Sequence, residues 1–453
     1  MRNVIPRFIH ERYEKGIFEG SFDSATMFVD ISGFTSITET LMKKGTEGAE
    51  RLSSMLNGVF NPTIYEVYRR DGFITGFSGD AFTAVYPGKD PLKPLSSALA
   101  IQEKFTRNRP DSKQDNLTVK IGLSYGHVQW GIVTSGQNTA YYFRGEPVSG
   151  CAKVIEDAGA GQIVLDDNLY NALPLLSTEP GKIIIEPPES RTETELAILN
   201  QSILEKFVPA KILTSKRSGE FREVAPVFIS FREIPNFFET PQFVEIVLDK
   251  AFEYGGFWSS LNFEDKGPSL LVLFGAPVAY ENNIRRAVDF ALAVRKEFRF
   301  VIRAGITVGT VYAGVVGSPK RSTYTALGDV VNLAARFMMA ADWGDIWTSA
   351  EVKERLKASY STEDKGIHEF KGKSHPVQVY RLKDPHMRAA GELFTGRMVG
   401  RESELEKAAS FTESCLEGRF GGVINVYGEA GIGKSRLLYE LAENLEDRFV
   451  TSI

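Results

Sequence analysis

Lys120-Ile121-Gly122-Leu123-Ser124-Tyr125-Gly126 and Arg303-Ala304-Gly305-Ile306-Thr307-Val308-Gly309 read as one hairpin strand written twice. The register extends well past the strand. Gly122, Gly126, Gly131, Gly145 and Gly161 each have a glycine 183 residues later, at Gly305, Gly309, Gly314, Gly328 and Gly344. With 41 glycines in 453 residues, five in one gapless register are hard to assign to chance. The chain therefore carries two copies of one domain.

Outward from the repeat, the first copy reads as a strand over 25–31, a helix over 45–69, two strands meeting near Gly79 and Asp80, a helix over 95–105 and a β-rich stretch over 117–133. The cycle restarts with a strand over 225–231, a helix over 241–254, strands over 257–263 and 269–274, a helix over 282–298 and strands within 300–316. Each copy is an α+β sandwich, helices packed on a mostly antiparallel sheet. After a short strand at 162–165 the chain turns polar, with Glu186-Pro187-Pro188-Glu189-Ser190 and a helical connector over 192–207. The expected organisation is a first domain over 22–190, a linker over 191–221, a second domain over 222–385 and a further module over 395–453.

That last module contains an apolar strand over 422–427, then Gly428-Glu429-Ala430-Gly431-Ile432-Gly433-Lys434-Ser435 and a helix over 436–445. The run fits the G-x-x-x-x-G-K-[ST] phosphate loop, in which backbone N–H groups and a lysine surround phosphates at a helix start. Gly428, Gly433, Lys434 and Ser435 are its candidate nucleotide contacts. Only 18 residues follow Ser435. The expectation is a P-loop NTPase domain cut short, in a chain that lacks a C-terminal regulatory region.

Lys and Arg number 53 against 58 Asp and Glu, a net charge of −5. That balance names neither nucleic acid nor an anionic membrane as partner. The two cysteines, Cys151 and Cys415, cannot build a disulfide framework or a zinc knuckle. The longest nearly apolar run, 269–280, is too short to cross a bilayer, and the first twenty residues lack an apolar leader core. A cytoplasmic setting is expected.

Asp30 closes the first strand and leads into Ser32-Gly33-Phe34-Thr35 at a helix start. A carboxylate there can hold a cation beside N–H groups free to receive phosphate, although a lone Asp in that place is more often an N-cap. Asp80, in Phe77-Ser78-Gly79-Asp80-Ala81, occupies a tight turn where an ordinary hairpin Asp would also fit. First strand and hairpin are neighbours in such a sandwich, so both carboxylates can meet at one end of the sheet. Two Asp with little else nearby suit Mg²⁺, which takes one or two carboxylates plus phosphate oxygens. In the second copy Asn332 and Arg336 lie one turn apart on the helix after Gly328. Such a pair is often merely solvated, but an Arg presented to phosphate stabilises developing charge.

Met27-Phe28-Val29-Asp30-Ile31-Ser32-Gly33-Phe34-Thr35, Phe77-Ser78-Gly79-Asp80-Ala81 and Tyr324-Thr325-Ala326-Leu327-Gly328-Asp329-Val330-Val331-Asn332-Leu333-Ala334-Ala335-Arg336 together resemble a class III nucleotidyl cyclase. The nearest likeness is to the soluble, bicarbonate-responsive type of adenylyl cyclase, with two catalytic domains ahead of a P-loop module. The resemblance implies two ferredoxin-like domains paired as a pseudo-heterodimer, so that a monomer suffices, and conversion of ATP to 3′,5′-cyclic AMP and pyrophosphate. It implies two Mg²⁺ or Mn²⁺ ions held by Asp30, Asp80 and the Ile31 carbonyl. It gives Asn332 the ribose, Arg336 the transition-state phosphate and Thr325 the adenine, while the backbone of Gly33, Phe34 and Thr35 holds the β- and γ-phosphates with Lys120. A catalytically idle nucleotide-binding regulator and a guanylyl cyclase stay open as other readings.

The 183-residue offset places Tyr142, Ser149 and Lys153 where the second copy has Thr325, Asn332 and Arg336. Matching Phe28-Val29-Asp30 to Phe228-Ile229-Ser230 puts Ser230 at the first acid, with Pro268 near the second. Each copy is then half a site, and one complete pocket forms between them. The family's adenine-selecting lysine falls at Ser260, with Lys266 out of register; its bicarbonate-binding Lys and Arg fall at Gly76 and Ala152. Bicarbonate added at fixed pH is expected to leave turnover unchanged. Several-fold activation in a pH-controlled titration would overturn that assignment.

Overall fold

A computed structural model describes residues 3–107, 117–156, 158–173, 199–214, 219–232, 239–264, 267–371, 373, 375–385, 398, 400–416, 419–428 and 433–445. The chain divides into two compact units, Met1–Lys383 and Asp384–Ile453. The first half of the larger unit runs α1 (Arg7–Glu14), β1 (Glu19–Ser32), α2 (Phe34–Met42), α3 (Gly45–Tyr68), β2 (Phe73–Ser78), β3 (Ala81–Pro87), α4 (Leu92–Arg107), β4 (Thr118–Ser135), β5 (Asn138–Arg144), α5 (Glu146–Lys153), β6 (Ile163–Leu165) and α6 (Asp167–Ala172). Two short helices, α7 (Gln201–Phe207) and α8 (Ala210–Thr214), connect it to the second half. That half runs β7 (Gly219–Phe231), α9 (Glu239–Glu253), β8 (Phe257–Glu264), β9 (Gly267–Phe274), α10 (Asn283–Glu297), β10 (Ile302–Ile306), β11 (Gly309–Gly317), β12 (Ser322–Leu327), α11 (Asp329–Ala340), β13 (Ile346–Ser349), α12 (Ala350–Leu356), β14 (Tyr360–His368) and β15 (Val377–Pro385). The second unit contains α13 (Glu402–Leu416) and α14 (Lys434–Leu445).

The first sheet has the order β2-β3-β1-β4-β5, with β6 beside β4. In the second, β8-β9-β7 repeats the first three places, and β10 and β11 together line the far side of β7 as β4 lines β1. The registers coincide. Phe28 faces Gly122 and Phe228 faces Gly305; Asp30 faces Lys120 and Ser230 faces Arg303.

One repeated glycine pair has a clear packing cause. A Cβ on Gly122 would stand 1.9 Å from the carbonyl oxygen of Cys151 in α5, and one on Gly305 would stand 2.1 Å from that of Ala334 in α11. Cys151 and Ala334 obey the same 183-residue offset. Only a residue without a side chain lets each helix lie this close to its strand.

The halves share their core. α3 packs on β11 and β7 of the second half, while α9 packs on β4 and β5 of the first. The Tyr142 and Phe263 rings meet across the boundary, 6.1 Å between centroids, and the Gly317 N–H donates to Asn57 Oδ1 at 3.1 Å. One cluster of buried side chains contains Trp130 and Tyr142 of the first half with Phe231 and Phe263 of the second.

Several elements differ from the sequence reading. β1 starts at Glu19, because its outer end pairs along β4 as far as Gly131. α1 was not expected; Phe8 on it stacks among Phe22, Phe73, Trp130 and Phe143. The connector expected over 192–207 is helical at α7, and 192–198 lies outside the described residues, as does the turn 186–190. The strand expected over 422–427 is a correction: no ladder forms there, and Val423 and Tyr427 stand exposed. A strand exists only with a partner, and no described residue of the second unit pairs with this one.

Gly305→Ala is expected to destabilise the protein by about 2–4 kcal/mol, since backbone rather than a mobile side chain must give way. Gly58→Ala, on the exposed face of α3 where an added Cβ meets nothing within 4 Å, should be neutral or stabilise by up to about 1 kcal/mol. Urea unfolding of both variants checks the contrast.

Candidate active site

β1 ends at Ser32, and Asp30 near that end lies opposite Ala81 on β3 and Lys120 on β4. Gly79 and Asp80 form the two-residue turn that closes β2 on β3, with Gly79 at φ 64°. The Ile31 N–H reaches the Asp80 carbonyl at 3.4 Å, so the turn lies against the end of β1 and brings the two acids together. Their electrostatics agree. Burial, then the neighbouring Asp30 charge, pushes Asp80 up to about 7, far above the ordinary 3.8. Burial also raises Asp30, offset in part by Lys120, Lys371 and the Ser32 hydroxyl. Two half-buried carboxylates, one raising the other's cost of ionisation, are matched to a hard divalent cation. Among the described residues no cluster of three or more His, Cys, Asp or Glu offers a denser metal site.

Beside the acids, Gly33 precedes α2 at φ 118°, and the first N–H groups of α2 have no carbonyl of their own helix to pair with. Phe34 itself is buried and stacks on Phe60, 6.4 Å between centroids, so only its backbone is available to a ligand. The Thr35 side chain lies outside what the structure describes.

In the second half Thr325 is buried on β12 opposite Gly314. α11 buries Val331, Leu333, Ala334, Phe337 and Met338, leaving Asn332 and Arg336 half-buried on one flank. Arg336 Nη1 is buried with no hydrogen-bond partner among the described residues. The segment after β14 is tied to α11 at two points. Phe370 meets Phe337 at 5.3 Å, and Lys373 pairs with Asp329. Lys371 lies between these anchors, and its charge acts on Asp30 in the other half. The helix bearing the amide and guanidinium is thus linked through one short segment to the acids. Sequence reasoning missed Lys371: a lysine beside a glycine on the surface carries no local mark, and only the fold brings it to the carboxylates.

The strand registers also locate the counterparts. Ser230 and Pro268 occupy the places of Asp30 and Asp80, since Phe228 and Ile229 follow the pairings of Phe28 and Val29. Gly76 and Ser260 are equivalent, each just after a one-residue bulge. A Cβ on Gly76 would lie 3.1 Å from Asn262 Oδ1, and Ala152 is buried. Ser149 and Lys153 sit on α5, Tyr142 is buried, and the Arg144 guanidinium donates to Thr240 Oγ1 at 2.8 Å. In the second unit Lys434 Nζ donates to the Gly428 carbonyl at 2.9 Å, Gly433 has φ 92°, and Ser435 follows in α14. Residues 429–432 of that loop, and Lys266, lie outside the described residues.

Residues 265–384 match the adenylate and guanylate cyclase catalytic domain family, and residues 397–453 match the AAA ATPase domain family. Adenylate cyclase type 10 of Mus musculus is 26% identical over 93% of this chain. The chain spans 30% of that relative's length. An adenylate cyclase of Mycobacterium bovis is 36% identical over 24% of this chain and 26% of its own. A class III adenylyl cyclase-like ATP-binding protein from Pseudomonas aeruginosa shares the fold over 74% of this chain and 85% of its own, at TM-score 0.53 and 14% identity. The resemblance to class III adenylyl cyclases of the soluble type therefore holds along most of the chain, with a cyclase catalytic domain and an ATPase region in the same order.

The raised pKa of Asp80 has a sign that can be checked. The unfolded chain releases this proton near pH 4 and the fold near pH 7, so metal-free stability falls as pH rises through that window and the full cost is present above it. In EDTA at pH 8, Asp80→Asn is expected to raise the melting temperature by roughly 3 °C or more, a gain that fades towards pH 4. An unchanged midpoint at pH 8 would mean the carboxylates do not share this cost.

Proposed function

We propose that this chain, similar over most of its length to soluble-type adenylyl cyclases, converts ATP to 3′,5′-cyclic AMP and pyrophosphate. The observation that carries the reading is the division of chemistry between equivalent positions. Asp30 and Asp80 stand in one half where the other has Ser230 and Pro268, while Asn332 and the unpartnered Arg336 guanidinium stand where the first has Ser149 and Lys153. A catalytically idle pair has no chemical need of all four.

On this reading the halves form a pseudo-heterodimer of two ferredoxin-like domains, supported by the sheet order β2-β3-β1-β4 and its counterpart β8-β9-β7-β10. One complete site forms between them, so a single chain suffices. Mg²⁺ or Mn²⁺, as two ions on Asp30, Asp80 and the Ile31 carbonyl, would supply Lewis acidity towards the ribose hydroxyl and the triphosphate. The chain's own groups do the rest. The N–H groups from Gly33 to Thr35 hold the β- and γ-phosphates together with the ammonium groups of Lys120 and Lys371. Asn332 fixes the ribose so that its 3′-oxygen lies in line with the α-phosphorus. The new O–P bond forms as the bond to the β-phosphate oxygen breaks, pyrophosphate leaves, and the hydroxyl proton passes to solvent. Arg336 Nη1 has no protein partner to give up, so it is free to meet the charge gathering on the α-phosphate.

Thr325 accepts from the adenine amino group, while Ser260 leaves the base without a lysine contact. Selection of ATP over GTP therefore rests on fewer contacts than a lysine-bearing site would have. Lys434 and Ser435 would bind a second nucleotide in a complete P-loop module.

Purified protein incubated with Mg²⁺ or Mn²⁺ and each nucleoside triphosphate, with products identified by mass, should yield cyclic AMP from ATP. Asp30→Ala and Asp80→Ala should abolish it with the fold retained. Arg336→Ala should lower kcat by about 10² with little change in KM, as expected for a contact made chiefly in the transition state. Equal losses in affinity and rate would remove that role from Arg336.

A further inference from the structure

We propose that Arg321 is a positioning residue that holds the acid-bearing hairpin of the first half in register with the half that contacts base and α-phosphate. The inference rests on the two-half site above. Arg321 lies four residues before Thr325, at the entry to β12, and is only 2% exposed. Its Nη1 donates to the Val4 carbonyl at 2.6 Å and to the Ser322 carbonyl. Its Nη2 donates to the Tyr141 hydroxyl at 2.6 Å, and that hydroxyl donates in turn to the Thr75 carbonyl at 3.0 Å. The guanidinium also lies 5.4 Å from the centroid of the Phe77 ring.

Thr75 and Phe77 belong to β2, the strand that runs into the Gly79-Asp80 turn. Thr75 is the residue that the β2–β3 register skips at the bulge between Ile74 and Gly76, where its hydroxyl donates to the Thr83 carbonyl of β3 at 3.1 Å. The bridge from second half to first therefore lands on the bulge of the hairpin that carries Asp80. It crosses a cavity of about 60 Å³ lined in part by Thr75, Phe77, Ser260 and Tyr324, so packing alone leaves slack there. On the other side, the Asn3 carbonyl accepts from the Ser322 N–H at 2.9 Å, so the N-terminal segment completes the clamp on β12.

A guanidinium this buried, bonded to two carbonyls and a hydroxyl, with Nε unpartnered and no carboxylate against it among the described residues, is an expensive way to gain stability alone. Its geometry fits another task. Arg321 is rigidly joined to the strand bearing Thr325 and leading to α11, and through Tyr141 it fixes the backbone four to five residues from Asp80. A shift of about 1 Å between these groups costs up to about 10² in rate.

The test uses Tyr141→Phe, which keeps the ring but removes the relay, and Arg321→Met. Both are assayed well below their measured melting temperatures, with amide exchange followed over 73–82. Tyr141→Phe is expected to lower kcat by roughly 10-fold or more with KM for ATP within about twofold, and to speed exchange in the hairpin. In the double variant the two losses should not add, since both break one chain of contacts. Wild-type kcat in folded Tyr141→Phe, or unchanged exchange over 73–82 in both variants, would overturn the proposal. If the unmodified protein makes no cyclic nucleotide, the cyclase reading fails, and the exchange measurement still decides whether the bridge holds the hairpin.

Discussion

The carbonyl of Ala334 lies where a side chain on Gly305 would have to stand, and this contact sets the position of α11 on its sheet. Everything on the helix inherits it. With the inner face sealed by Ala334, Phe337 and Met338 against Gly305 of β10 and by Leu333 in a cluster with Trp347 and Val379, Asn332 and Arg336 have a fixed flank to occupy. The same contact in the first half, Gly122 against Cys151, fixes α5. The duplicated scaffold therefore presents two helices in equivalent places, and chemistry is decided by what each helix and its opposing sheet end carry.

What they carry is unequal in charge. At one sheet end two half-buried acids meet, the Asp30 charge opposes ionisation of Asp80, and lysines from both halves moderate the cost at Asp30. At the equivalent end a serine whose hydroxyl has no partner among the described residues and a proline replace them, so these two positions offer a cation no anionic ligand. On the helices the inequality is reversed: the orphan guanidinium is on α11, and α5 offers Ser149 and Lys153. On the proposed reading each half lacks what the other supplies, and the boundary between them is then part of the site rather than a passive seam.

Much of this was legible in the sequence because it depends on local rules. A glycine beneath a helix cannot be replaced, so the repeat survived as a visible register even where the surrounding residues diverged. Asp30 at a strand end and Asp80 in a two-residue turn could be paired because the order of elements makes strand and hairpin neighbours. Other features left no local trace. Lys371 reaches Asp30 only because Phe370 and Lys373 pin its segment to α11. Helix α1 was hidden because its driving force is an aromatic cluster drawn from four strands, β1, β2, β4 and β5. The run over 422–427 has the composition of a strand but no neighbouring strand among the described residues, and composition cannot supply one.

On the proposed reading, the contacts around Gly76 and Arg144 explain why a duplicated fold need not keep two sites. A side chain at Gly76 would press on Asn262, whose amide reaches the Phe77 carbonyl at 3.5 Å, and Arg144 is engaged with Thr240 across the boundary. Polar groups that could have faced a ligand there are instead used to join the halves. A ligand in that place would have to break these contacts and then repay their loss, whereas Arg336 Nη1 would lose no described contact on meeting a phosphate. If the cyclase reading holds, the two pockets have diverged in opposite directions, one towards cohesion and one towards readiness, and the cohesion of the first would keep the separated groups of the second at a constant distance.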